Sequence, residues 1–202
     1  FEGGRLQLFG INLPLLPVFN ISRGNEGATG WLVPDIAVSS RNGFELAVPY
    51  HWQIAPNRDA TITPHVYTNV LPAIEGRYRE LNSLGAFQIG GFLTYGRVDK
   101  INPTSTSTEK RRFRGYFDGN GRWQLNPAWS ITSSLRAATD KTVTRRYDLT
   151  NDDRLRNVIN AERISPDSYI SIAGWAFQGL RVDDRQREFP IALPAIDARF
   201  RR

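Results

Sequence analysis

Residues 44–54 read FELAVPYHWQI. Phe44, Leu46, Val48, Tyr50, Trp52 and Ile54 share one parity, and Glu45, Ala47, Pro49, His51 and Gln53 share the other. Side chains alternate across a strand, so this run has one apolar face carrying the aromatics and one more polar face. Eleven residues is the length of a tilted strand that crosses a bilayer. Aromatic residues on the apolar face suit a barrel wall meeting lipid. The fold turns on whether the rest of the chain repeats the pattern.

It does. Residues 30–40 place Leu32, Pro34, Ile36 and Val38 on one face. Asn42-Gly43 joins this run to the next and is a hairpin signal, because both residues tolerate positive φ. Further alternating runs fall at 60–67, 73–81, 84–95, 112–124, 128–138, 169–180 and 189–200, with a weaker one at 158–164. Residues 1–22 carry two prolines among Leu and Phe and read as short strands ending a preceding domain; 23–29 is a polar linker. That leaves 30–202 as about ten antiparallel strands with no convincing helix. Longer polar loops at 99–111, 139–156 and 181–188 alternate with short turns, as in an outer-membrane barrel. A soluble sandwich or barrel also fits many short strands. Two features favour the membrane. Glu75, Arg77, Arg79, Arg114, Asp118 and Arg136 sit at mid-strand on the polar parity, where a closed apolar core could not hold them unpaired. The apolar parity is rich in glycine and aromatics instead of dense Val and Leu.

Composition agrees without deciding. No stretch approaches the 18 apolar residues of a transmembrane helix, and mean hydropathy is −0.41. A barrel wall needs no such stretch, since only alternate residues face lipid. Net charge is +6, from 23 arginines and three lysines against 20 acidic residues. That balance favours anionic partners, and arginine grips phosphate and carboxylate with a fixed fork. The basic residues form no long run of the kind a nucleic-acid arm shows. The absence of cysteine removes thiol chemistry and disulfides from the segment.

Little points to catalysis or a metal. His51 and His65, the two histidines, lie on neighbouring strands on the polar parity, without metal-ligand spacing, and read as solvated. Asp152-Asp153 and Asp183-Asp184 sit beside arginines in polar loops, without calcium-loop spacing, and read as a solvated loop face. No nucleophile elbow or phosphate loop is visible. The chain is therefore expected to be no enzyme and to need no cofactor. Pro34 and Pro49 are different. Each interrupts a good strand, and they fall at nearly the same height about the Asn42-Gly43 turn. Proline cannot donate to a ladder. The pair reads either as protection of an edge hairpin against aggregation or as a weakened seam in the sheet.

The string GWLVPDIAVSSRNGFELAVPYHWQIAPNRDATITPHVYT resembles the start of the barrel in the LptD family, the lipopolysaccharide-assembly (organic solvent tolerance) proteins of the Gram-negative outer membrane. The resemblance lies in Gly30-Trp31-Leu32-Val33-Pro34, in Phe44-Glu45, in Pro49-Tyr50-His51-Trp52-Gln53-Ile54-Ala55-Pro56-Asn57, and in Asp59-Ala60-Thr61-Ile62-Thr63-Pro64. Trp31, His51 and Gln53 depart mildly from the family pattern. Residues 1–22 resemble the end of the family's periplasmic β-jellyroll. The resemblance implies a segment of the larger barrel: residues 1–22 the jellyroll end, 23–29 a linker, and 30–202 the first transmembrane strands. It implies transport of lipopolysaccharide into the outer leaflet through the barrel lumen and a lateral gate at Pro34 and Pro49. Glu45, His51, Gln53, Glu75, Arg77 and Arg79 would face the lumen, and Phe44, Leu46, Val48, Tyr50 and Trp52 the lipid. Implied partners are lipopolysaccharide, the plug lipoprotein LptE, the periplasmic jellyroll bridge protein LptA and outer-membrane lipid, with periplasmic N-terminal residues and no nucleic acid. A general porin or passive channel, or a soluble all-β module binding an acidic glycan, are the alternative readings.

Overall fold

The computed structural model describes residues 7–8, 11–12, 29–98, 111–181, 183–186 and 189–201. Among the described residues, strands β1 (Gln7–Leu8) and β2 (Ile11–Asn12) pair with each other and with no other strand. The rest of residues 1–28 and the expected loop at 99–110 lie outside the described residues.

From residue 30 the chain builds one antiparallel sheet of twelve strands. Its first pass is broken into β3 (Gly30–Trp31) and β4 (Asp35–Ser39), its second into β5 (Gly43–Ala47) and β6 (Tyr50–Ala55). Then follow β7 (Arg58–Tyr67), β8 (Ala73–Asn82), β9 (Gly85–Gly96), β10 (Arg112–Gln124) and β11 (Trp129–Ala138). After a loop carrying the single-turn helix α1 (Val143–Arg146) come β12 (Arg154–Ser165), β13 (Ser168–Gly179) and β14 (Ala192–Phe200). Two broken passes and eight whole ones make the expected ten. The order runs from β4 at one edge to β14 at the other, and the edges do not meet. Turns are short at one end of the sheet, as at 83–84 and 166–167, and connections at the other end are mostly longer.

The register separates two faces. Leu46 pairs with Val66, Ile74 with Pro64 and Leu93, Ile89 with Tyr78, Phe117 with Gly91 and Ala137, and Ile172 with Ala161 and Ile196. Paired residues share a face, so these define one continuous apolar surface. Ile62, Ile74, Ile89, Phe117, Ile159 and Ile196 are exposed on it. Aromatics mark its two ends. Tyr78, Phe87 and Trp123 cluster toward the short turns, with ring centroids 5.9 and 6.3 Å apart; Tyr95 and Phe113 meet at 5.2 Å toward the long loops. Phe87 and Tyr95 are eight steps apart on β9. At ~3.4 Å per step that is about 27 Å along the strand. Tilted by ~40°, it spans about 21 Å, close to the apolar band of a membrane barrel.

Three sequence expectations change. Residues 30–40 are not one alternating strand. The face slips at the break, and Trp31, instead of Leu32, shares a face with Tyr50, their rings edge to face at 5.0 Å. The weak run at 158–164 is a full strand from Arg154 to Ser165, and the loop before it ends at 153 and holds a helical turn. In β14, Pro194 lies where the register against β13 shifts between Ala173 and Trp175. A bulge in an edge strand is where a proline is tolerated.

Candidate functional site

The first hairpin carries the main irregularity of the sheet. β4 and β5 pair from Asp35–Ala47 to Ser39–Gly43, and β3 and β6 pair Gly30 with His51 and Trp31 with Tyr50. Across residues 32–34 and 48–49 the register moves by one residue. Leu32 N donates to Pro49 O at 2.8 Å. The reciprocal bond is impossible because Pro49 has no N–H. The other side of the same pass shows no slip at this height; its own register shift falls at the turn, between Gln53 and Ala55. β5 and β6 hold one register against β7 from Tyr67 to Asp59, and Val48 N donates to Pro64 O at 3.2 Å. The discontinuity therefore faces the edge strand only. Pro34 sits in the slipped stretch of that edge strand. The missing bond at Pro49 forfeits about 1 kcal/mol.

The tip of this hairpin is held from two directions. Gly43 has φ +77°, and a Cβ there would overlap Thr68 Oγ1, so glycine is required. Phe44 N donates to Thr68 Oγ1 at 3.0 Å, Thr68 N to Phe44 O at 3.1 Å, and Asn69 N to Asn42 O at 3.1 Å. From the other side, Asn42 Nδ2 donates to Arg146 O at 2.9 Å. Asn42 is only 4% exposed.

Behind the apolar surface lies a charged face. Glu45, His65, Glu75 and Arg77 form a chain across β5, β7 and β8. His65 Nδ1 donates to Glu45 Oε1 at 2.8 Å, its Nε2 lies 3.5 Å from Glu75 Oε2, and Arg77 reaches Glu75 at 3.4 Å. His65 is thus not the solvated histidine the sequence suggested: its side chain is 12% exposed, because the two carboxyls and the rings of Tyr67 and Phe92 enclose it. His51 stands apart, with Nδ1 3.2 Å from Thr61 Oγ1. Arg79 pairs separately with Asp59 at 3.0 Å. Gln53, whose backbone N donates to Thr29 Oγ1 at 3.0 Å, is likewise away from the Glu45 chain. Glu45, His51, Gln53, Glu75, Arg77 and Arg79 all have the parity opposite to Phe44, Leu46, Val48, Tyr50 and Trp52.

Residues 139–153 cross this charged face as a strap. At its root, Arg114 clasps Asp140 with Nε–Oδ2 at 2.9 Å and Nη2–Oδ1 at 3.0 Å; the two side chains are 1% and 4% exposed. Burial would raise the Asp140 carboxyl, but hydrogen bonds from Arg114 and Thr142 outweigh it and hold the group below its ordinary value. Asp140 also accepts from Thr142 N and Val143 N, satisfying the first amides of α1. Val143, Leu155, Leu180 and Ala138 pack beneath. Farther along, the Tyr147 ring meets Phe92 at 4.9 Å and Tyr67 at 5.7 Å. Arg136 reaches Asp152 at 2.6 Å and the Tyr116 hydroxyl at 2.9 Å; Arg145 and Arg181 both clasp Asp153. The hydrogen bond from Arg136 lowers the Asp152 carboxyl and that from Arg181 lowers Asp153. The aspartates at 152 and 153 thus tie loops together while staying on a solvated face, their side chains 52% and 39% exposed. Between strap and sheet lies a cavity of about 380 Å³ lined by Asp35, Glu45, His65, Glu75, Arg77, Asp118, Tyr116, Tyr147 and Leu149, among others. Among the described residues, no group of three or more His, Cys, Asp or Glu is placed to hold a metal ion. Asn42, Asp140 and Tyr147 were not candidates from the sequence. A lone tyrosine in a charged loop, Arg145-Arg146-Tyr147-Asp148, is the one signal that could have marked the strap.

The family model for LPS transport system D, LptD, matches residues 112–202. An LPS-assembly protein LptD from Nitrosococcus oceani is 31% identical over 140 residues, covering 69% of this chain and 18% of that protein. One from Actinobacillus pleuropneumoniae serotype 5b is 27% identical over 179 residues, 86% of this chain and 22% of that protein. One from Yersinia pestis bv. Antiqua is 30% identical over 167 residues, 80% and 20% respectively. The chain spans about a fifth of the length of these relatives.

Proposed function

We infer from the chain's membership of the LptD family that it serves lipopolysaccharide assembly at the Gram-negative outer membrane, as the first strands of the barrel. Its apolar face, with Phe44, Leu46, Val48, Tyr50 and Trp52, meets lipid. Its charged face, with Glu45, His51, Gln53, Glu75, Arg77 and Arg79, lines the lumen that the glycan crosses. The N-terminal residues are periplasmic, toward the bridge protein LptA, and the plug lipoprotein LptE occupies the lumen. Pro34 and Pro49 make the first hairpin the compliant wall of a lateral gate.

The observation that carries this reading is the register slip at Pro34 and Pro49, on the edge-facing side of the first hairpin. A passive porin shares the two faces but has no use for a weakened first hairpin. A soluble glycan-binding module would have to leave its apolar face in water, at a scale far above an ordinary exposed patch.

The test places a photoactivatable cross-linking residue at Thr63, on the charged face, in the full-length protein in cells. A matched position on the apolar face, Ile62, is the control. Thr63 is expected to capture lipopolysaccharide only while export runs, and Ile62 to give lipid adducts that do not depend on export. No export-dependent adduct at Thr63 rules against passage along this face.

A further inference from the structure

We propose that residues 139–153 are a fixed strap whose Arg146 carbonyl latches the tip of the first hairpin. The hairpin then parts from its proline end while its outer end stays held. The consequence for export rests on the transport reading above; the latch itself does not.

The strap's two ends are unequal. Its root is bound by a bidentate charged pair, Arg114 with Asp140, almost fully buried and joined by Thr142 Oγ1 at 2.8 Å from Arg114. Its middle is seated by Tyr147 between Phe92 and Tyr67. Where it meets the hairpin, the contact among the described residues is one neutral hydrogen bond from Asn42 Nδ2 to Arg146 O at 2.9 Å and one long, single bond from Arg146 Nη2 to Arg41 O at 3.4 Å, with no bidentate pair between them. Charge-assisted, bidentate bonds are roughly twice as strong as neutral ones, so the tip contact parts before the root does. Asn42 Oδ1 is buried with no hydrogen-bond partner among the described residues. An amide half satisfied while buried regains that hydrogen bond when it reaches water, so the latch holds less firmly than the root. The contact spans 104 residues of sequence, so it is no part of ordinary turn chemistry. On the hairpin's inner side, Thr68 and Asn69 keep β5 in place. What the latch restrains is therefore the outward swing of β4.

The experiment is site-resolved hydrogen exchange at the Ala37 and Ser39 amides in the full-length protein, for Asn42→Ala, Tyr147→Ala and the double variant. Asn42→Asp keeps the turn preference and removes the donor, and it serves as the second probe of the same bond. Each single change is expected to raise exchange at these amides about fivefold, the factor one net hydrogen bond of ~1 kcal/mol carries. The double variant should add little, because both changes undo one contact. Unchanged exchange in Asn42→Ala and Asn42→Asp overturns the latch. Effects that multiply in the double variant also overturn it, leaving Asn42 as a turn residue only. If exchange behaves as expected while Thr63 captures no lipopolysaccharide, the latch stands and the transport reading fails.

Discussion

The first hairpin and the β9–β10 pair are built from strands of similar reach in the same sheet, yet they are stitched differently. β9 and β10 pair without a slip from Gly85–Trp123 to Gly96–Arg112. The hairpin manages five pairs, a break, then two pairs in a shifted register. β10 is no better a strand by composition, since it carries Gly115, Gly119 and Gly121. Glycine costs conformational entropy, roughly 0.5–1 kcal/mol per residue, but keeps its N–H and leaves the ladder whole. Proline removes the donor itself. Two prolines at one height thus do what three glycines do not: they interrupt the edge seam, while the seam against β7 keeps its register at that height.

The contrast can be broken most strongly from its firm side. Arg114→Met leaves Asp140 buried without its partner, a loss of about 3–5 kcal/mol. The strap root should come loose, and thermal unfolding of the full-length protein should begin at β10–β11 and the strap instead of at the first hairpin. An unchanged unfolding midpoint would show that the root adds nothing. Acid removes part of the same interaction. The Asp140 carboxyl is lowered in the folded state, so its contribution is present above the ordinary value of 3.8 and is lost as pH falls below it. Protection of the Val143 and Thr144 amides is expected to hold at pH 5 and above, and to decline only in stronger acid. A decline centred near neutrality would assign the strap's hold to some other group.

Much of this was legible in the sequence, for a physical reason. A strand with one apolar and one charged face must alternate, so residues 44–54, 73–81 and 112–124 announced which residues share a face. The prolines were legible because a missing donor is a property of the residue alone. β12 was obscured because Asn157 and Arg163 interrupt the parity of Leu155, Ile159 and Ala161, while Val158 and Ile164 fall on the opposite one. The register slip was only half visible: the proline positions were plain, but the exchange of Leu32 for Trp31 on the apolar face depends on where the extra residue is absorbed. The strap was hidden altogether. Its anchor pairs Arg114 with Asp140, and its tip joins Asn42 to a backbone carbonyl. No local periodicity encodes a contact between a turn and a main-chain oxygen so far along the chain.

The smallest energetic change bears most directly on the central claim, that Pro34 and Pro49 keep the first hairpin compliant for export. Pro34→Ala with Pro49→Ala returns an N–H at each position, the one at 49 opposite Leu32 O contributing about 1 kcal/mol, which shifts an opening equilibrium by roughly fivefold. The measurement is lipopolysaccharide at the cell surface, at matched levels of folded full-length protein. Surface lipopolysaccharide is expected to fall while barrel assembly is unaffected. Wild-type export in the double variant would contradict the account and leave the two prolines as guards of an edge hairpin.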